Sequence, residues 1–86
     1  MKTSKKGLKK TYSFTLIYTG ADDLTQGLCD ALFEAGCDDA LLGLRDGLIT
    51  LDFDREAATY QEALQSAIRN VDESGTGLKL VRVEPA

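Results

Sequence analysis

The sequence predicts a ferredoxin-like α+β sandwich, in which an antiparallel four-stranded sheet of order 4-1-3-2 carries two helices on one face. Three observations lead to this prediction. Strand-like and helix-like apolar patterns follow one another in the order β-α-β-β-α-β. The two helical segments share one apolar spacing, i, i+4, i+7, i+8 and i+11. Between the two middle strands, Asp46-Gly47 marks a tight hairpin. Two β-α-β halves joined in this way build the fold.

The first half of the chain predicts a strand over residues 12–19, followed by a helix. In the strand, large apolar side chains alternate with mostly hydroxyl-bearing ones, which is typical of a sheet with one buried face. The helix carries an apolar stripe from Leu24 to Ala35. Asp23 and Gln26 have the spacing of a capping box at its start. Gly36 follows the last apolar residue, at the position where a helix commonly ends in a left-handed conformation.

The second half predicts two strands over residues 40–45 and 48–54, a helix and a last strand over residues 78–83. Thr59 and Glu62 have the spacing of a capping box ahead of the second apolar stripe. In the two stripes, Leu28, Leu32, Leu64 and Ile68 are expected to be nearly buried against the sheet. In the last strand the leucines and valines fall on both faces. Either a bulge interrupts this strand or both of its faces are buried.

Charge is distributed unevenly along the 86 residues. The formal net charge is −4, yet residues 11–86 carry five basic and fourteen acidic side chains, a net of −9. We therefore predict a flexible basic arm over residues 1–10 and a single acidic domain over residues 11–86. The lysines of the arm are Lys2, Lys5, Lys6, Lys9 and Lys10. They solubilise the chain or contact an acidic partner such as nucleic acid.

No motif for catalysis or metal binding stands out. Cys29 and Cys37 would be about 12 Å apart along a helix, too far for a disulfide, and the chain has no histidine to complete a zinc site. Asp52, Asp54 and Glu56 could together hold a divalent cation, although a solvated face is the favoured interpretation. No nucleophile is paired with a base. We expect no enzymatic activity, no cofactor and no metal.

Proteins of this fold act in several ways, each with its own residues. RNA-recognition modules need aromatic side chains on the outer face of the central strands, where this chain has Ser, Thr, Ile, Leu and Asp. The loop Thr19–Asp22 contains neither the CxxC of a metal chaperone nor the arginine of an acylphosphatase. Gly20 in that loop is compatible with an amino-acid-sensing domain of the ACT type, so small-molecule sensing stays open.

The outer face of the sheet is the predicted interaction surface. Ile17 and Leu48 are its large apolar residues, and Thr15 and Thr50 lie beside them on the two central strands. Phe33 lies off the apolar stripe of the first helix and is a further candidate contact. Because an uncovered apolar surface often marks an interface, we expect self-association through this face or along an edge strand, or binding of a protein partner.

Neither a membrane span nor an export signal is predicted. The chain lacks a run of ~18 apolar residues, and the lysines of the arm are not followed by the apolar core and cleavage site of a signal peptide. We expect a cytoplasmic protein.

Three segments resemble a family of small bacterial proteins. The most specific is Ala35–Ala40, AGCDDA, within a longer similar run over residues 30–41; the others are Leu51–Glu56 and Ala67-Ile68. Members of that family are labelled DNA-binding proteins or transcriptional regulators, and a β-α-β-β-α-β domain precedes their helix-turn-helix segment. The resemblance covers residues 12–84 and implies that this chain corresponds to the front domain.

In the family the helix-turn-helix would follow Pro85, where this sequence ends at Ala86. The resemblance therefore transfers no DNA-binding residue to this chain. It implies a non-catalytic interaction or regulatory domain, accessory to a DNA-binding regulator. A small-molecule sensor and a weak nucleic-acid binder acting through the lysine arm are the alternatives.

Overall fold

A computed structural model of the chain describes residues 9–85. Its elements are β1 Lys10–Thr19, α1 Gln26–Glu34, β2 Ala40–Arg45, β3 Leu48–Ala57, α2 Tyr60–Glu73 and β4 Lys79–Pro85. The four strands form one antiparallel sheet of order β2-β3-β1-β4. The predicted ferredoxin-like topology is therefore confirmed, since this order is the expected 4-1-3-2 written from the other edge.

The start of α1 differs from the prediction. Thr25, in an extended backbone conformation, is the N-cap, and its hydroxyl accepts the N–H of Leu28 at 3.2 Å. The carboxylate of Asp23 instead accepts the N–H of Leu24. The predicted capping box of Asp23 and Gln26 is therefore wrong. The hydroxyl of Thr25 reaches the third helical N–H directly, so the helix begins at Gln26, two residues later than the capping box predicts.

The N-terminus of α2 is as predicted, while its buried face is rotated. Thr59 is the N-cap, and its hydroxyl accepts the N–H of Glu62 at 3.1 Å. Leu64 and Ile68, expected to be nearly buried, are only half-buried on the flank of the helix. The residues that face the sheet are Ala63, Ala67 and Val71. Small side chains at this contact let the helix approach the sheet closely.

Strand pairing defines the middle of the sheet. β1 and β3 pair from Lys10 opposite Ala57 to Tyr18 opposite Ile49, so β3 extends three residues beyond its predicted end. Asp46 and Gly47 both have positive φ, 54° and 77°, the pattern of a type I′ hairpin turn. The hairpin between β2 and β3 is therefore confirmed.

The register of β4 decides between the two alternatives that its sequence left open, in favour of a bulge. Leu80 lies opposite Tyr18 and Arg82 lies opposite Ile17, which leaves Val81 as an extra residue. This bulge explains why apolar side chains of the last strand fall on both faces.

The core lies between the sheet and the helices. Rings from two central strands and one helix meet there: Phe14 and Phe53 stack with centroids 5.5 Å apart, and Tyr60 packs edge-on against Phe14 at 5.8 Å. Leu32 of α1 is fully buried, and Leu28 is partly buried beside it. The remaining buried core residues are Leu16, Tyr18, Cys37, Ile49, Leu51, Ala63, Ala67, Val71 and Leu78.

Candidate interaction site

The two edges of the sheet differ in their protection against an added strand. β4 carries Lys79 and Arg82, contains the bulge and ends at Pro85. Charges, bulges and prolines are the features that prevent strand addition at an edge. The other edge strand, β2, has the sequence ALLGLR, with a continuous register and its only charge at the last residue. β2 is therefore the edge that is open to pairing.

The ladder between β2 and β3 fixes which backbone groups point outward. The N–H of Asp54 donates to the carbonyl of Asp39 at 3.2 Å, which makes these two opposed residues a hydrogen-bonded pair. In an antiparallel ladder, hydrogen-bonded pairs alternate with pairs whose N–H and C=O groups point away from each other. The backbone groups of Ala40, Leu42 and Leu44 consequently point to the free edge.

Most of these outward groups are available to a partner. The N–H of Ala40 donates to the carbonyl of Cys37 at 3.3 Å. The carbonyl of Ala40 and both backbone groups of Leu42 and of Leu44 face the side on which no strand of residues 9–85 lies. Another chain could pair with all five.

Apolar side chains flank this free edge on both faces of the sheet. Leu41, on the outer face, is 73% exposed, and Leu44, on the helix face, is 45% exposed. Between them Gly43 lies opposite Thr50. A Cβ atom at Gly43 would lie 2.7 Å from the Thr50 hydroxyl oxygen, so a side chain at this position would require the Thr50 side chain to move. The outer surface of β2 therefore has a prominent leucine beside a gap.

Three charged side chains bridge the outer face of the sheet. Glu84 accepts hydrogen bonds from Arg45 at 3.1 Å and from Arg82 at 3.0 Å. Arg45 belongs to β2 and Glu84 to β4, the opposite edges, which are about 14 Å apart at the usual strand spacing. Their side chains therefore extend toward each other over β3 and β1. We call this group the arginine strap. Its hydrogen bonds, first from Arg45 and then from Arg82, lower the pKa of Glu84.

The arginine strap changes the expected character of the outer face. Ile17 was expected to be uncovered there, but it has no exposed surface, and Thr50 is 8% exposed. Leu48 and Thr15 are half-buried, and Phe33 on α1 is 48% exposed. The expectation of an uncovered Ile17 is therefore wrong, because strand periodicity identifies a face without showing which distant side chains cover it. That Ile17, Leu48, Thr15, Thr50 and Phe33 contact a partner stays a prediction.

The acidic side chains of β3 bond to neighbouring hydroxyl groups. Thr15 donates to the carboxylate of Asp52, and Ser13 donates to that of Asp54 at 2.6 Å. Glu56 lies opposite Thr11 at the end of the ladder. Within residues 9–85, no three metal-ligating side chains come together.

The most highly bonded polar side chain is Arg55, which is 8% exposed. Its Nε and Nη2 atoms donate to the two carboxylate oxygens of Asp39, each at 2.8 Å. Nη1 donates to Asn70 at 2.8 Å and to Ser66 at 3.1 Å, and Nη2 donates to the carbonyl of Gly36 at 2.7 Å. All five N–H donors of the guanidinium are therefore used.

This cluster, Arg55 with its four partners, links β3, α2 and the loop between α1 and β2. The guanidinium also lies 4.9 Å from the ring centroid of Phe53, and its hydrogen bond to Asp39 raises the pKa of Arg55. Because every N–H donor of the Arg55 guanidinium is bonded to another residue of the protein, the cluster has a structural role: it connects β3, α2 and the loop before β2. The sequence analysis missed this role. The available signal was the alternation Ile49, Leu51, Phe53 and Arg55, which continues the buried face.

Two buried titratable side chains lie in the core. Burial raises the pKa of the Cys37 thiol to about 11, although the positive charge of Arg55 acts to lower it. The Tyr18 hydroxyl has no hydrogen-bond partner among residues 9–85, and burial together with Asp72 raises its pKa. Cys29 and Cys37 are both free thiols, as predicted.

A small open depression lies where β1 ends. It has a volume of about 380 Å³ and is lined by Thr19, Gly20, Ala21, Asp22 and Gly47. Its lining includes the glycine that suggested a sensing domain of the ACT type.

No protein-family model matches the chain, and no curated protein or solved structure matches it. The resemblance to the front domain of small bacterial helix-turn-helix proteins therefore stays a prediction. Neither α1 nor α2 is long and apolar enough to cross a membrane.

The predicted basic arm lies mostly outside the described residues. This applies to Lys2, Lys5 and Lys6. Lys9 precedes β1, and Lys10 is the first residue of that strand, so the predicted arm overlaps the sheet by one residue.

Proposed function

We propose that this chain is a non-catalytic protein-interaction domain that binds its partner by accepting a strand at the β2 edge. The observation that supports this proposal is the difference between the two edges: β4 carries charges, a bulge and a proline, whereas β2 offers five outward backbone groups flanked by Leu41 and Leu44. In strand addition, backbone hydrogen bonds contribute affinity and the alternate side chains contribute specificity.

Two further features support an interaction role. The guanidinium of Arg55 has no donor left for a ligand, and the carboxylates of Asp52 and Asp54 already accept hydrogen bonds from β1. The resemblance noted above adds a context, in which the domain would be the regulatory module that accompanies a DNA-binding segment in a small bacterial protein.

A library of random linear peptides displayed on phage and selected on the domain tests this proposal. We expect the selected peptides to shift the NMR amide signals of Leu42 and Leu44, whose N–H groups would join the new ladder. Leu41→Lys should weaken peptide binding at least tenfold, whereas Val81→Lys, at an exposed apolar residue of the other edge strand, should not. Peptides that bind elsewhere and tolerate Leu41→Lys would contradict the proposal.

Small-molecule sensing is a second candidate, supported by the depression at Thr19–Asp22. A ligand that binds the folded state raises the melting temperature by mass action. Thermal scans with each common amino acid at millimolar concentration test this candidate. A single amino acid that raises Tm and shifts the Gly20 amide signal would favour sensing over strand addition.

Nucleic-acid binding through the lysine arm is the third candidate, and it would depend on at most five lysines. Counterion release then limits the slope of log K against log salt to about −4.5. Deleting residues 1–8, which leaves β1 intact, removes three of the five lysines, so it should weaken any DNA binding in a mobility-shift assay at ~150 mM salt and lower the limiting slope to about −1.8. Sequence-selective binding that survives the deletion would assign the function to the folded domain instead.

A further inference from the structure

We infer that the strand accepted at the β2 edge is β2 of a second copy of this chain, paired antiparallel about a two-fold axis at Leu42. This inference rests on the proposed function and names its partner. A two-fold axis perpendicular to the sheet joins the two four-stranded sheets into a single eight-stranded sheet, and all four helices then lie on the same side of it. Two-fold dimers are the commonest closed assemblies.

The outward backbone groups select the register. Ala40, Leu42 and Leu44 point to the free edge. Only one antiparallel self-pairing gives all three residues a partner of this kind. Leu42 lies opposite Leu42 of the second copy, with two hydrogen bonds, and Ala40 lies opposite its Leu44, with one, because the N–H of Ala40 already donates to Cys37. A shift by two residues in either direction removes one of these three pairs, so the symmetric register is favoured.

Shape complementarity favours the same register on the outer face. Leu41 lies opposite Gly43 of the second copy, at a non-hydrogen-bonded position where the Cα atoms are only about 4.5 Å apart. Leu41 is the most exposed apolar residue of β2, at 73%, and Gly43 has no side chain to occupy the space opposite it. Each copy thus places its leucine over the glycine of the other.

Sedimentation velocity on the full chain between 10 µM and 1 mM tests the inference. We expect reversible dimers with a dissociation constant on the order of 100 µM, because a six-residue strand contact is small. Leu41→Lys should raise the constant at least tenfold, and the matched Val81→Lys should change it by less than twofold. Circular dichroism establishes that both variants fold. A wild-type chain that remains monomeric at 1 mM would overturn the inference.

A separate NMR experiment tests the register of the pairing between the two copies of β2. In a mixture of isotope-labelled and unlabelled chains, filtered NMR spectra should contain a contact between Hα of Leu41 in one chain and Hα of Gly43 in the other. The amide of Leu42 should also exchange more slowly at high protein concentration than at low. A dimer without the Leu41–Gly43 contact would overturn the assigned pairing.

The two experiments separate this inference from the proposed function. Selected peptides that bind at Leu42 and Leu44, on a chain that stays monomeric, would retain strand addition and reject self-pairing. A dimer whose intermolecular contacts lie at β4 or on the outer face, with no peptide binding at β2, would reject both. The Leu41–Gly43 contact together with loss of the dimer in Leu41→Lys would support both.

Discussion

Arg55 and Asp39 form a bidentate ion pair in which two guanidinium nitrogens each donate to one carboxylate oxygen at 2.8 Å. The pair joins the end of β3 to the loop that leads into β2, and the same guanidinium reaches Asn70 on α2. Because Arg55 is almost fully buried, its charge depends on these partners for stabilisation. The guanidinium therefore connects α2 to the sheet and to the loop before β2.

Arg55→Ala should lower the free energy of unfolding by about 3 kcal/mol, because it leaves a carboxylate and a carbonyl without their donor. Arg55→Lys should recover only part of this loss, since an ammonium cannot reproduce the bidentate geometry. Urea denaturation measures both. Arg69→Ala, at an exposed arginine of α2, is the control and should stay within about 0.5 kcal/mol of wild type. Equal losses at the two arginines would refute the structural role of Arg55.

Leu32→Ala should lower the free energy of unfolding by about 2–5 kcal/mol, through lost transfer energy and the cavity that remains. Leu32 is fully buried, whereas its neighbour Phe33 is 48% exposed. Phe33→Ala removes a larger side chain and should nevertheless cost less in the same urea titration. The opposite ranking would mean that α1 presents a different face to the sheet.

Alkaline pH should destabilise the protein through Cys37. The folded state raises the pKa of this thiol from 9.0 to about 11. The resulting stability is fully present below pH 9 and is lost as the pH rises toward 11, at up to about 1.4 kcal/mol per pH unit. The measurement is the pH dependence of the free energy of unfolding. Cys37→Ala should reduce its slope, and Cys29→Ala, which retains the buried thiol, should not. An unchanged slope in Cys37→Ala would contradict the prediction.

Tyr18→Phe should raise the free energy of unfolding by about 1 kcal/mol. The hydroxyl of Tyr18 is buried without a hydrogen-bond partner among residues 9–85, and an unsatisfied buried polar group is costly. Phenylalanine keeps the ring and removes that cost. Tyr12→Phe, whose hydroxyl donates a long 3.4 Å bond to Ala58 at an exposed site, is the matched control and should be nearly neutral. A loss of stability in Tyr18→Phe would indicate that a bound water satisfies the hydroxyl.

Much of the fold could be predicted from local sequence patterns. Alternation identified the strands, the Asp46-Gly47 pair identified the hairpin, and Thr59 identified the start of α2. Each of these signals depends on residues within about one turn or one strand of each other, where propensity and capping act directly. The break in alternation of β4 is likewise visible in a single segment, but it left a bulge and a doubly buried strand as alternatives, and the strand register decides for the bulge.

What the sequence did not provide depends on pairs of residues far apart in the chain. The burial of Arg55 was not predicted, because the partners that surround it in the tertiary structure, Asp39 and Asn70, lie sixteen and fifteen residues away in the chain. Ile17 looked uncovered until Arg45 and Glu84, thirty-nine residues apart, met over the outer face. By itself the sequence determined the order and type of the elements, because those follow from local periodicity. Only the tertiary structure decided which charges are buried and which side chains cover the outer face, because both depend on contacts between side chains that are far apart in the chain.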